Sequence, residues 1–102
     1  MAKKATKSKK LPFVIVRSWG AGVFAGELVS RDDSGAGRSR VVLNHSTRLW
    51  SWKAMNGLSL SAVAIGGLNR AESKTAGPID GHTIDDVIEI IPVSAAAEGS
   101  LR

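Results

Sequence analysis

Residues 11–26 read Leu11-Pro-Phe-Val-Ile-Val-Arg-Ser-Trp-Gly-Ala-Gly-Val-Phe-Ala-Gly26, and this stretch decides the fold class. Its first part, Leu11 to Val16, is β-branched and apolar on both alternating faces, the pattern of a strand buried on two sides. Its second part is punctuated by Gly20, Gly22 and Gly26 and leads into a second strand expected from about Phe24 to Arg31. Strands on both sides of the glycines make a bulged, glycine-rich hairpin. They also exclude a dinucleotide fingerprint, which needs a helix after the glycines and closer spacing than Gly22 to Gly26 provides.

Working outward, Asp32-Asp-Ser-Gly-Ala-Gly37 has turn chemistry, and Ser39 to Asn44 reads as a third strand returning antiparallel with Val41 and Leu43 on one face. Thr47-Arg-Leu-Trp-Ser-Trp52 follows, and Asn56-Gly57 breaks it. Ser59 is suited to cap a short helix, Leu60 to Ile65, that stops at Gly66-Gly67. Asn69 to Pro78 is expected to be a polar loop. Ile79-Asp-Gly-His82 is expected to be a tight hairpin turn. Thr83-Ile-Asp-Asp86 resembles a capping box, and Val87 to Ile91 is a last strand ended by Pro92. Ser94 caps an Ala-rich terminal helix. The expected fold is α+β: a small, mostly antiparallel sheet of about four to five strands with one short central helix and a short C-terminal helix.

At 102 residues the chain holds one core. The net charge of +5 resolves into two parts, because Lys3, Lys4, Lys7, Lys9 and Lys10 supply it all. Residues 1–10 are therefore expected to be a disordered Lys-rich tail, and residues 11–102 a single, formally neutral α+β domain. A neutral body argues against a dedicated duplex-binding face, which would carry its own basic patch. Cysteine is absent, which removes disulfides and thiol chemistry and suits a reducing compartment. No apolar run reaches membrane-spanning length, and the charged N-terminus lacks the apolar segment of a secretory signal. A soluble, cytoplasmic protein with no membrane association is expected.

Several segments together carry a resemblance: Phe13-Val-Ile-Val-Arg17, Gly20-Ala-Gly-Val-Phe-Ala-Gly26, Leu28-Val-Ser-Arg-Asp32, Arg48-Leu-Trp-Ser-Trp52, Leu58-Ser-Leu-Ser61 and Ile88-Glu-Ile-Ile-Pro92. They resemble a family of small uncharacterised proteins encoded by tailed bacteriophages, from about residue 12 to residue 95. The paired-tryptophan segment and the glycine loop are its most specific parts. The Lys-rich tail and the longer hairpin from Asp32 to Arg40 depart from it. The resemblance implies a phage origin, hence the host cytoplasm, and an α+β domain; it carries no activity with it.

Arg48-x-Trp50-x-Trp52 is the most informative constellation. On an extended strand all three side chains share one face. Two indoles can hold a flat π-system, and a guanidinium can take a phosphate bidentately. Arg17, Trp19, His45 and Lys53 join this neighbourhood if the strands pair as expected, and Gly20, Gly22 and Gly26 can offer backbone amides. The competing reading is that the tryptophans are core or subunit interface and the glycines a packed hairpin.

Catalysis has little support. The two histidines, His45 and His82, lack the signature of a nucleophile triad. His82 with Asp80, Asp85 and Asp86 reads as turn capping before it reads as a metal site, and no cofactor is expected. The leading expectation is a non-enzymatic accessory protein that binds a small nucleotide-like ligand and sequesters a host defence signal. Two alternatives stand beside it: a module that inhibits a host protein through its tryptophans, and a nucleic-acid-binding protein that uses the basic tail. A core this small with tryptophan-bearing strands also suggests a homo-oligomer.

Overall fold

A computed structural model describes residues 11–35, 38–55, 57 and 59–102. The expected tail, residues 1–10, lies outside the described residues, as do residues 36 and 37 of the expected turn Asp32 to Gly37, whose first four residues belong to strand β2 instead. The elements run β1 (Phe13–Ser18), β2 (Gly22–Gly35), β3 (Arg38–Ser51), α1 (Leu60–Gly66), a 3₁₀ turn (Arg70–Glu72), β4 (Lys74–Ile79), β5 (His82–Pro92) and α2 (Ala95–Leu101). The α+β class, the mostly antiparallel sheet and the two short helices match the expectation.

The sheet closes on itself. β1 pairs β2 from Phe13↔Glu27 to Ser18↔Gly22, and β2 pairs β3 through Val23↔Leu49 and Leu28↔Leu43. β3 pairs β5 through Val41↔Ile84, and β5 returns to β1 through Ile90↔Val16. These four antiparallel ladders form a ring, a small barrel whose closure removes the exposed edges an open sheet would leave. β4 lies along the other half of β3, from Ser51↔Lys74 to Ser46↔Ile79.

Three local expectations are corrected by this topology. Ile79-Asp-Gly-His82 is not a hairpin turn, because β4 and β5 follow one another along the same edge of β3. The Asp80-Gly81 break faces a kink in β3, where His45 has φ 51°. The His45 backbone N–H donates to Asp80 Oδ1 at 2.8 Å and the Gly81 N–H donates to Asn44 Oδ1 at 2.9 Å. These reciprocal bonds replace ladder bonds that the two kinks forgo. Thr83 to Asp86 is strand, with Asp86 at φ 56° where β5 changes partner from β3 to β1. There the Ser18 hydroxyl donates to the Asp85 carbonyl at 2.7 Å, and the Trp19 N–H to the Asp86 carbonyl at 3.0 Å. The segment from Asn69 to Pro78, expected to be loop, contributes the 3₁₀ turn and β4 instead.

Two apolar layers explain the double-sided character of β1. Val14, Val16, Phe24, Val41, Leu43, Ile84 and Val87 fill the barrel. Phe13, Ile15, Ala25 and Leu49 point the other way and are covered by Val63 and Ala64 of α1 and Leu101 of α2. Both helices start as the serines foretell. The Ser59 hydroxyl accepts from the Ala62 N–H at 3.0 Å and the Ser94 hydroxyl from the Ala97 N–H at 3.1 Å. Ser94 also donates to the Ile65 carbonyl at 2.8 Å, which ties the start of α2 to the end of α1.

Ser46, in the middle of β3, is 1% exposed because backbone closes over it from two sides. On β2, a Cβ at Gly26 would stand 2.9 Å from the Asn44 carbonyl oxygen and 3.1 Å from the Ser46 Cα. On β4, a Cβ at Gly77 would stand 2.6 Å from the Ser46 carbonyl oxygen, and its φ of +129° also favours glycine. Gly26 is thus a packing glycine.

Candidate functional site at the aromatic end of the barrel

Register places Arg48 opposite Phe24, on the face that looks into the barrel. The Arg48 guanidinium carbon lies 4.5 Å from the centroid of the Phe24 ring and 5.2 Å from that of Trp50. Its Nη1 donates to the Ala21 carbonyl at 2.6 Å, so the side chain fastens the β1–β2 turn to the end of β3. Contact with two aromatic rings holds a guanidinium by cation–π attraction and fixes its plane.

Beside it, the His82 ring meets Phe24 edge-on, with centroids 5.0 Å apart and planes at 88°. His82 Nδ1 lies 2.9 Å from the Ser46 hydroxyl oxygen. Burial first, and then the positive charge of Arg48, holds the imidazole below its ordinary pKa, so it is neutral near pH 7. A serine beside a neutral histidine has the outline of a nucleophile and base. Enclosed as it is, however, the Ser46 hydroxyl offers a substrate no approach. Chemically the pair is a half-buried polar link between β3 and β5.

The ten residues singled out in the sequence divide into two groups. Arg48, Trp50, Trp19, Gly20 and Gly22 come together at one end of the barrel. Trp19 is 80% exposed on the β1–β2 turn and Trp50 is 64% exposed at the end of β3. Gly22 packs close to the Arg48 guanidinium. Arg17 lies on the neighbouring stretch of β1 and is paired with Glu89 at 2.7 Å.

The other four sit elsewhere. Trp52 does not share the face of Arg48 and Trp50. β3 ends at Ser51, strand alternation ends with it, and the half-buried Trp52 packs against the helix-side layer. Lys53 turns toward the 3₁₀ segment, where its ammonium pairs with Glu72 at 2.8 Å and its N–H donates to the Ser73 hydroxyl. His45 occupies the β3 kink, with its Nε2 buried and without a hydrogen-bond partner. Gly26 lies under the backbone of Asn44 to Ser46.

Phe24, the Ala21 carbonyl, Ser46 and His82 belong to the constellation although the sequence did not mark them. Phe24 was within reach of the sequence argument, since pairing the second and third strands outward from the glycines sets it against Arg48. The Ser46–His82 contact spans 36 positions and has no local signal.

Charge is unevenly neutralised. Arg17, Arg31, Arg40, Lys53 and Arg102 are all in ion pairs. Arg48, Lys74 and Arg70 have no carboxylate partner among the described residues, and of these Arg70 is held instead by the Ser100 carbonyl of α2 at 2.8 Å. Lys74 pairs with Ser51 across the β3–β4 ladder, one position beyond Trp50, which puts it at the same end. A separate shallow groove of about 180 Å³, lined by Arg31, Ser39, Val87, Ile88, Glu89 and Ile90, contains none of the aromatic-end residues. No metal-binding group of three or more His, Cys, Asp or Glu occurs among the described residues. No helix there is long and apolar enough to cross a membrane.

The family described as Domain of unknown function (DUF6948) matches residues 11–101. The chain belongs to that family. The match spans every strand and both helices, so the barrel with its helical cover is the DUF6948 domain, and the first ten residues precede it. No curated protein and no solved structure matches the chain.

Proposed function

We propose that this DUF6948 protein is a non-enzymatic accessory protein of phage origin that binds a nucleotide-like ligand at the aromatic end of its barrel. In that role it would sequester a host defence signal in the host cytoplasm. One observation carries the reading: the Arg48 guanidinium is held against two aromatic rings, has no carboxylate partner among the described residues, and sits beside the exposed indole of Trp50. Nη1 is engaged by Ala21, which leaves Nε and Nη2 to donate to a phosphate, while Trp50 offers a face to a base. The buried state of Ser46 supports a ligand that leaves chemically unchanged.

The test is calorimetric titration of the full chain with a panel of cyclic and linear nucleotides. Arg48→Ala should weaken binding by roughly ten- to a hundredfold, the loss of a charge-assisted contact of about 1.5–3 kcal/mol. The melting temperature of the variant shows whether the fold survives. A panel in which nothing binds the wild type overturns the reading.

A second reading has its own observation. An indole 80% exposed, as Trp19 is, is the kind of anchor that becomes a hot spot in a protein interface. A host protein, or a second copy of the chain in a homo-oligomer, would cover Trp19 and Trp50 together. Sedimentation at micromolar concentration and Trp19→Ala separate self-association from binding to another protein.

A further inference from the structure

Ser18 pairs with Gly22, and Val23 pairs with Leu49. The β1–β2 turn and the end of β3 therefore lie side by side, with Trp19 and Trp50 about two strand spacings, roughly 10 Å, apart across the sheet. Lys74 on β4 extends the same row by one more spacing. Along this row an exposed indole, a guanidinium, a second exposed indole and an ammonium follow one another. No wall faces them, since both indoles are mostly open to solvent. One mononucleotide on an open surface would engage a single indole and a single cation.

We propose that the ligand of the aromatic end is single-stranded nucleic acid, with Trp19 and Trp50 stacking separate bases and Arg48 and Lys74 taking backbone phosphates. This rests on the nucleotide reading above and narrows it to a polymer. Three observations favour it. The stacking surfaces are separate and unwalled, which suits successive bases and tolerates any sequence, because every base has a π-face. Two cations without carboxylate partners, Arg48 and Lys74, are at this end, whereas Arg70 is held by the Ser100 carbonyl of α2 and Arg17, Arg31, Arg40, Lys53 and Arg102 are neutralised in pairs. Arg48 is fixed in place by Phe24, Trp50 and the Ala21 carbonyl, so little side-chain entropy is lost when it meets a phosphate. A duplex would hide its bases from the indoles and leave only charge to be recognised.

The experiment is a fluorescence titration of the full-length protein at about 0.15 M salt, which weakens the tail's non-specific binding to strand and duplex alike. Three probes are used: oligothymidylate of about 12 nucleotides, a duplex of equal length, and thymidine monophosphate. The single strand should quench tryptophan emission and bind at least about tenfold more tightly than either the duplex or the monophosphate. Trp19→Ala and Trp50→Ala should each weaken strand binding by roughly 5- to 150-fold, the loss of one stacked base, and Trp19→Phe should restore most of it. Melting curves of each variant confirm that the fold is intact. Equal binding of strand and duplex, or an unchanged affinity in folded Trp19→Ala, overturns the polymer proposal. If the monophosphate still binds and still depends on Arg48, the nucleotide reading survives that result. If neither probe binds, both fall.

Discussion

The hydroxyl of Ser46 and Nδ1 of His82 lie 2.9 Å apart, joining the middle of β3 to the first residue of β5 at the edge of the Phe24 ring. The bond matters because the Ser46 hydroxyl is shielded from water while His82 is half-buried, so losing the imidazole leaves the hydroxyl unsatisfied. A buried donor or acceptor without a partner costs about 1–3 kcal/mol.

Stability should therefore depend on pH through His82. Its folded pKa is depressed, so the unfolded chain binds the proton more readily. The contribution is complete above the unfolded value of about 6.5 and is lost progressively as pH falls from there toward the folded pKa. Urea denaturation at about pH 7.5 and about pH 5.5 should show the wild type weaker in acid, with a smaller difference in His82→Gln. An identical acid loss in that variant would assign the effect to other groups.

Gly77→Ala and Gly26→Ala should both destabilise the domain, by on the order of 2–4 kcal/mol. Each Cβ would press on the β3 backbone around Ser46, and at Gly77 the positive φ adds strain. Gly20→Ala is the control, because nothing stands within 4 Å of its Cβ, and it should stay within about 0.5 kcal/mol of wild type. Thermal melts of the three variants check the ranking.

The tryptophans should separate by role. Trp52→Ala removes contacts with the helix-side layer and should cost about 2–4 kcal/mol of stability. Trp19→Ala and Trp50→Ala expose little new surface and should cost less than about 1 kcal/mol. Chemical denaturation reads all three. A large loss for Trp50→Ala would make it a scaffold residue and remove it from the proposed site.

Ser94→Ala should cost about 1–2 kcal/mol, more than Ser59→Ala at about 1 kcal/mol. Both lose an N-cap, but only Ser94 also donates to the Ile65 carbonyl and so couples the two helices. Matched denaturation curves decide the order.

Sequence reasoning succeeded where the cause of a structure is local. The run from Phe13 to Val16 announces burial on both faces, and Ser59, Gly67 and Ser94 mark helix ends because capping involves residues within a turn of one another. It fell short where a distant strand decides. Asp80-Gly81 has the composition of a hairpin turn, yet the Asn44–His45 kink on β3 recruits it as a bend. Trp52 obeys alternation only while the chain stays extended, and β3 ends one residue before it. The site was half legible for the same reason. Arg48 and Trp50 stand out by spacing, whereas the Ala21 carbonyl and His82 reach Arg48's surroundings only through barrel closure.

That closure has a consequence for how the chain acquires its structure. β1 precedes every other strand of the domain, but one of its two ladders is supplied by β5, the last strand, so Val14 waits for Pro92. Contacts of such sequence separation carry a large loop-closure cost and slow folding. During synthesis the apolar run from Phe13 to Val16 would emerge with only β2 to cover it, leaving one edge exposed until β5 leaves the ribosome. This architecture therefore has no self-sufficient N-terminal half, and the barrel completes only when β5 docks against β1 and β3.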